Sequence, residues 1–154
     1  MKLLHTADWH LGRMLYGKSL LEDQEYFIRE SFLPAVREHR PDLVILAGDI
    51  YDRPIAPAAA IRLFDEVIGE LSALGIPLAA ISGNHDGADR LAIGASLLRK
   101  SGIFIASRPE DVFQPAEFRF GGKKVCVYLL PYCGPAQIRQ VLGDDSLQGF
   151  KSCY

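Results

Sequence analysis

The chain has 154 residues, 49% of them apolar, 10% aromatic and 23% charged, a composition that supports one hydrophobic core and excludes a disordered or collagen-like protein. Cys126, Cys133 and Cys153 are odd in number and never spaced C-x-x-C, which argues against a disulfide framework and a zinc knuckle. The net charge of −2 gives no sign of a polyanion partner, no apolar run approaches the ~20 residues of a bilayer span, and the start lacks the apolar core of a signal peptide; a cytoplasmic protein away from the membrane is expected.

Lys2 to Thr6 reads as a short buried strand that runs directly into the polar string Ala7-Asp8-Trp9-His10. Residues 22–39 have helical periodicity through Tyr26, Phe27, Phe32 and Val36, with Pro34 expected to kink or break the helix because it removes an amide donor. Leu43 to Ala47 is a continuous apolar run, as in a parallel strand covered on both faces, and it ends in Gly48-Asp49. Residues 57–74 repeat Ile61, Phe64, Ile68 and Leu71 at helical spacing, between Pro57 near the start and Gly75 at the end. A second apolar row, Leu63, Val67 and Leu74, lies beside the first and reads either as a broad core face or as a homodimer face.

A third strand, Pro77 to Ile81, ends in Ser82-Gly83-Asn84-His85-Asp86. A helix over 89–100 follows, with Gly94 as its weak point, then a strand at Ile103 to Ala106. From Glu117 the alternation of Phe118 and Phe120, the Gly121-Gly122 pair, and Val125, Val127 and Leu129 predicts a hairpin. Alternating strands and helices up to that point predict an α/β sandwich.

In open α/β sheets ligands bind beyond the carboxyl ends of the strands. Three such ends carry Asp8-x-His10, Gly48-Asp49-x-x-Asp52 and Gly83-Asn84-His85-Asp86. Each alone is a weak signal, but three in succession are a strong one. The donor set suits two divalent metals: Asp8 and His10 can chelate one ion, Asp49 can bridge to a second, and Asn84 can offer its amide oxygen. Carboxylate, imidazole and amide ligands without thiolate fit Mn²⁺, Fe²⁺ or Zn²⁺ in a reactive site better than a structural zinc. Such a pair activates water for in-line attack on phosphorus, which is phosphoester hydrolysis. His85 would face the substrate and hydrogen-bond or protonate the leaving oxygen, with Asp52 orienting its ring; Asp52 reads equally well as the cap of the next helix. His5 is expected to be a satisfied core imidazole, His39 a favourable charge at a helix C-terminus, and Trp9 a packing residue rather than a base-stacking one.

The acid is unevenly spread. Residues 1–77 carry 8 Lys and Arg against 12 Asp and Glu, a balance of −4, and residues 78–154 carry 9 against 7, a balance of +2. Two bound divalent ions would turn −2 into +2, so the net charge does not exclude nucleic acid. Arg13, Lys18, Arg53, Arg62 and Arg90 flank the motifs and could meet DNA phosphates, although a solvated charged surface accounts for any single one.

Together the motifs resemble the calcineurin-like metallophosphoesterases. The opening run from His5 to Gly12, the segment from Asp42 to Asp52 and the run from Gly83 to Asp86 are more narrowly similar to the SbcD and Mre-type DNA-repair nucleases, over about residues 1–106. That resemblance implies an αββα sandwich, with Asp8, His10, Asp49 and Asn84 as metal ligands and His85 as the catalytic histidine. It also implies two divalent ions, manganese by preference and Mg²⁺ among the alternatives, a DNA phosphodiester substrate, an SbcC-type ATPase partner, and a homodimer through helices 57–74 and 89–100. The same motifs would serve a phosphomonoesterase or protein phosphatase, or a catalytically inactive dimerisation module. The family completes its metal pair with three later histidines, whereas no histidine follows His85 here. The chain therefore reads as the N-terminal part of such a domain, expected to hold one metal weakly by itself.

Overall fold

The computed structural model describes residues 1–153. Strand β1 (Leu3–Thr6) leads to a small hairpin, β2 (Met14–Leu15) and β3 (Lys18–Ser19), which two-residue strands left unannounced in the sequence. Helix α1 (Leu21–Phe27), a π-helical turn (Ile28–Phe32) and α2 (Leu33–His39) then form one continuous helical segment. Pro34 does not break it. Directly before the proline, the Leu33 N–H reaches back five residues to the Ile28 carbonyl, and this widened turn takes up the pyrrolidine ring. Ile28, Phe32, Leu33 and Val36 all stay buried, so the segment keeps its core face.

Strands β4 (Leu43–Ala47), β5 (Leu78–Ile81) and β6 (Ile103–Ala106) join β1 in a four-stranded parallel sheet of order β1-β4-β5-β6. Register pairs Leu4 with Val44, Val44 with Leu78 and Leu78 with Ile103. Because successive side chains alternate between faces, Val44, Leu46, Leu78, Ala80, Ile103 and Ile105 meet the helices. Leu43, Ala79, Phe104 and Ala106 meet the hairpin of β7 (Ala116–Phe120) and β8 (Lys123–Val127) on the other side. The expected α/β layering is present, with helices on one face of the sheet and the hairpin on the other. β1 is an edge strand that the hairpin leaves uncovered, so His5 is exposed rather than a core imidazole.

Helix α3 (Ala58–Ala73) buries Ala60, Leu63, Phe64, Val67 and Leu71. Leu63 and Val67 are thus part of the core face, whose seam runs through both apolar rows and leaves Ile61 at its exposed edge. The helix expected over 89–100 is three short pieces, α4 (Ala88–Leu91), α5 (Ala95–Leu98) and a 3₁₀ turn (Arg99–Ser101). Gly94 makes the break by taking φ of 75°, where a side chain would be strained. Ile93 and Leu97 of this broken segment are exposed. A 3₁₀ turn (Pro109–Phe113) leads into the hairpin, and α6 (Pro135–Leu142) and α7 (Phe150–Cys153) follow it. Among the described residues no helix is long and apolar enough to cross a membrane.

Candidate metal centre

The parallel pairing of β1 and β4 continues past their ends. Asp8 N–H donates to the Gly48 carbonyl (3.2 Å), His10 N–H to Asp49 (2.9 Å) and Leu11 N–H to Ile50 (2.9 Å), while Asp52 N–H donates back to Leu11 (3.2 Å). The two loops therefore travel side by side and carry Asp8 and His10 alongside Asp49 and Asp52. Asp8, His10 and Asp49 adopt φ of 54°, 45° and 45°. Left-handed backbone costs an L-residue on the order of 1 kcal/mol, and strain of this kind gathers at functional sites.

The third loop, from Gly83 to Asp86, is tied to the second. His85 N–H donates to Asp49 Oδ1 (2.9 Å), and His85 Nδ1 lies 2.9 Å from the Asp52 main-chain carbonyl. A carbonyl only accepts, so Nδ1 carries a proton, and in the neutral ring the lone pair sits on Nε2. Asp52 thus orients His85, but through its backbone; its carboxylate lies instead 3.6 Å from His10 Nδ1. The rings of His10 and His85 meet edge to face, with centroids 4.7 Å apart. Asn84 is exposed on the same turn, beside His85.

Two groups of donors result. Asp8, His10 and Asp49 each place one ligand atom within 4.8 Å of the others, and so do His10, Asp52 and His85. His10 Nε2 is 3.7 Å from Asp49 Oδ2. His10 Nδ1 is buried without a hydrogen-bond partner, which a buried polar atom rarely tolerates. Ligands held at 2.0–2.1 Å around a tetrahedral ion lie about 3.3 Å apart, close to these separations, so the donors fit a divalent cation.

Two residues that hold the loops were not singled out from the sequence. The Asp86 carboxylate accepts from Ile50 N–H (3.1 Å) and Gly83 N–H (2.8 Å) through Oδ2, and from Tyr51 N–H (2.8 Å) through Oδ1. Burial pushes its carboxyl above the usual range, the three N–H groups oppose that rise, and the charge of Asp49 adds to it. Burial, followed by the charge of Asp86, pushes the neighbouring Tyr51 phenol up, so it stays a neutral hydroxyl.

Gln24, on α1, does for the first loop what Asp86 does for the second. Its Oε1 accepts from Gly12 N–H (3.0 Å), and its Nε2 donates to the Trp9 (3.0 Å) and His10 (2.9 Å) carbonyls. Gln24→Glu keeps the one accepted bond and sets a carboxylate oxygen against two carbonyls. Outer partners of metal ligands carry about 10–100-fold in affinity, so calorimetric titration of Gln24→Glu with a divalent cation, Mn²⁺ as the probe, should show binding weakened by that order. Binding equal to wild type would deny Gln24 this positioning role.

Trp9 packs edge to face on Phe32 and Phe64, with centroids 5.0 and 6.5 Å away, and its indole N–H donates to Thr6 Oγ1 (2.7 Å); it is a packing residue. His39 closes α2 and its carbonyl accepts from Lys2 Nζ (2.7 Å). Arg13, Lys18, Arg53, Arg62 and Arg90 are all exposed. Arg13 and Lys18 lie on or beside the β2–β3 hairpin that follows the first loop, Arg53 follows Asp52, and Arg90 lies on α4, four residues after Asp86.

Comparison with known protein families matches residues 1–146 to the calcineurin-like phosphoesterases. The chain belongs to that family, whose members are metal-dependent hydrolases of phosphoesters.

Proposed function

We propose that this member of the phosphoesterase family acts on DNA phosphodiesters in the manner of an SbcD or Mre-type nuclease, with manganese as its preferred ion. The convergence of three strand-end loops on one cluster, Asp8 and His10 with Asp49, and His85 hydrogen-bonded to both Asp49 and Asp52, carries the reading. The run from His5 to Gly12 and the exposed Arg13, Lys18 and Arg53 beside the cluster favour DNA over a small ester, since such cations position a phosphate backbone.

Divalent ions held by Asp8, His10, Asp49 and Asn84 would supply an activated water and stabilise charge at phosphorus. The chain's own contribution is positional. Asp49 Oδ1 takes the His85 N–H and leaves Oδ2 directed at His10. The Asp52 carbonyl holds His85 Nδ1–H, so Nε2 is the atom left for the leaving oxygen, and it can donate a proton there only when the ring is the doubly protonated imidazolium.

The full-length protein, supplemented with manganese and assayed on duplex DNA ends and on p-nitrophenyl phosphate, should cleave the DNA. His85→Ala should slow that cleavage by about 10²–10⁴-fold, the usual worth of a positioned acid or base. Hydrolysis of the small ester alone would overturn the nuclease reading and leave a phosphomonoesterase.

A further inference from the structure

We propose that His10, Asp52 and His85 form a second transition-metal site, mutually exclusive with the Asp8–His10–Asp49 cluster, which takes zinc and withdraws His85 from the reaction. The inference rests on the proposed function for its consequence, though not for its geometry. His10 is the hinge. Its Nε2 faces Asp49 Oδ2 at 3.7 Å, and its Nδ1 faces Asp52 Oδ1 at 3.6 Å. A neutral imidazole has one lone pair and carries its proton on the other nitrogen. His10 can therefore serve one cluster or the other by exchanging tautomers, but not both at once.

The clusters differ in the chemistry that they offer. Asp8, His10 and Asp49 present two carboxylates and one imidazole, a set suited to manganese or magnesium. His10, Asp52 and His85 present two imidazoles and one carboxylate, the three-ligand set of open zinc sites. One ring nitrogen of each histidine and one Asp52 oxygen lie within 4.8 Å of one another. The His10 and Asp52 side chains are only 15% and 24% exposed. The buried Nδ1 of His10, with no hydrogen-bond partner, points to this side: it faces the Asp52 carboxylate at a distance too long for a hydrogen bond and close to that between two ligands of one ion.

Zinc in this second cluster has two consequences together. It engages a ring nitrogen of His85, and it draws His10 out of the first cluster, so that excess zinc silences a site that manganese would otherwise fill. No redox change or bond to carbon is involved; one proton moves from one His10 nitrogen to the other through solvent.

Calorimetric titration of the whole chain with Zn²⁺ and with Mn²⁺, repeated on His85→Ala, Asp52→Asn and Asp8→Asn, tests the proposal. Loss of an outer partner alone costs about 10–100-fold, so His85→Ala is expected to weaken zinc by at least about tenfold while manganese binding is retained, and Asp52→Asn, whose carboxylate also faces His10 Nδ1, to weaken zinc more than manganese. Asp8→Asn should do the reverse. Retained manganese affinity in His85→Ala, and retained zinc affinity in Asp8→Asn, also show that the loops of those variants are intact. Zinc binding indifferent to His85 and Asp52, or lost with Asp8 as fully as manganese is, would overturn the second site. Absent DNA cleavage beside zinc binding that needs His85 would instead overturn only the proposed function, so the two fail separately.

Discussion

Asp86→Ala is expected to lower folding stability by roughly 3–5 kcal/mol and to abolish manganese binding. One carboxylate serves Ile50, Tyr51 and Gly83 N–H, and the first two belong to residues with 0% and 9% exposure, so water cannot replace it there. Each orphaned donor costs about 1–3 kcal/mol. The upper part of that sum is offset because the variant also removes a carboxylate that burial disfavours. The bonds join the loop after β4 to the turn after β5, so their loss separates Asp49 from His85. Asp86→Asn should fall between the two, since its carbonyl oxygen keeps an acceptor while its NH₂ group confronts an N–H. Urea unfolding and calorimetry measure both effects; a stability change under 1 kcal/mol would show that the loops hold together by other means.

What the sequence could and could not reveal follows from where each residue's partners lie. Asp8, His10, Asp49 and His85 were legible because each stands just past the carboxyl end of a strand, and a parallel sheet sets those ends on one side. Family membership bears out the expected fold and phosphoesterase family. Asp86 and Gln24 were not legible as supports. Their partners are main-chain groups, Ile50 and Tyr51 for Asp86, and Trp9, His10 and Gly12 for Gln24, and any residue type offers the same N–H and C=O. The Asp52 role divided for the same reason: its carbonyl holds His85 while its side chain faces His10. His5 looked like a core residue because a strand's apolar neighbours do not say whether it lies at the edge of its sheet. Pro34 looked like a breaker because the π turn that absorbs it has no sequence signature. The flaw at Gly94, by contrast, became a real break because its φ of 75° ends a helix rather than widening it.

Gly83→Ala adds one methyl group and should reduce manganese affinity by about 10–100-fold, the range for lost outer support, with roughly 1–3 kcal/mol of stability lost to overpacking. A Cβ at Gly83 would overlap Asp49 Oδ1 and approach Asp49 N to 2.5 Å, and neither atom is the free end of a flexible chain. Asp49 Oδ1 is held by His85 N–H, and Gly83 N–H is held by Asp86. Either the Asp49 carboxylate rotates and releases His85, or the ends of β4 and β5 part and strain the bonds of Asp86. Both routes disperse the donors, so metal binding should suffer more than folding. Gly69→Ala is the matching control: a Cβ at Gly69, inside α3, meets nothing within 4 Å, so the same substitution should there add about 0.5–1 kcal/mol of stability through helix propensity and leave metal binding untouched. If the two variants bound manganese alike, the close approach of Gly83 to Asp49 would have no part in setting the site.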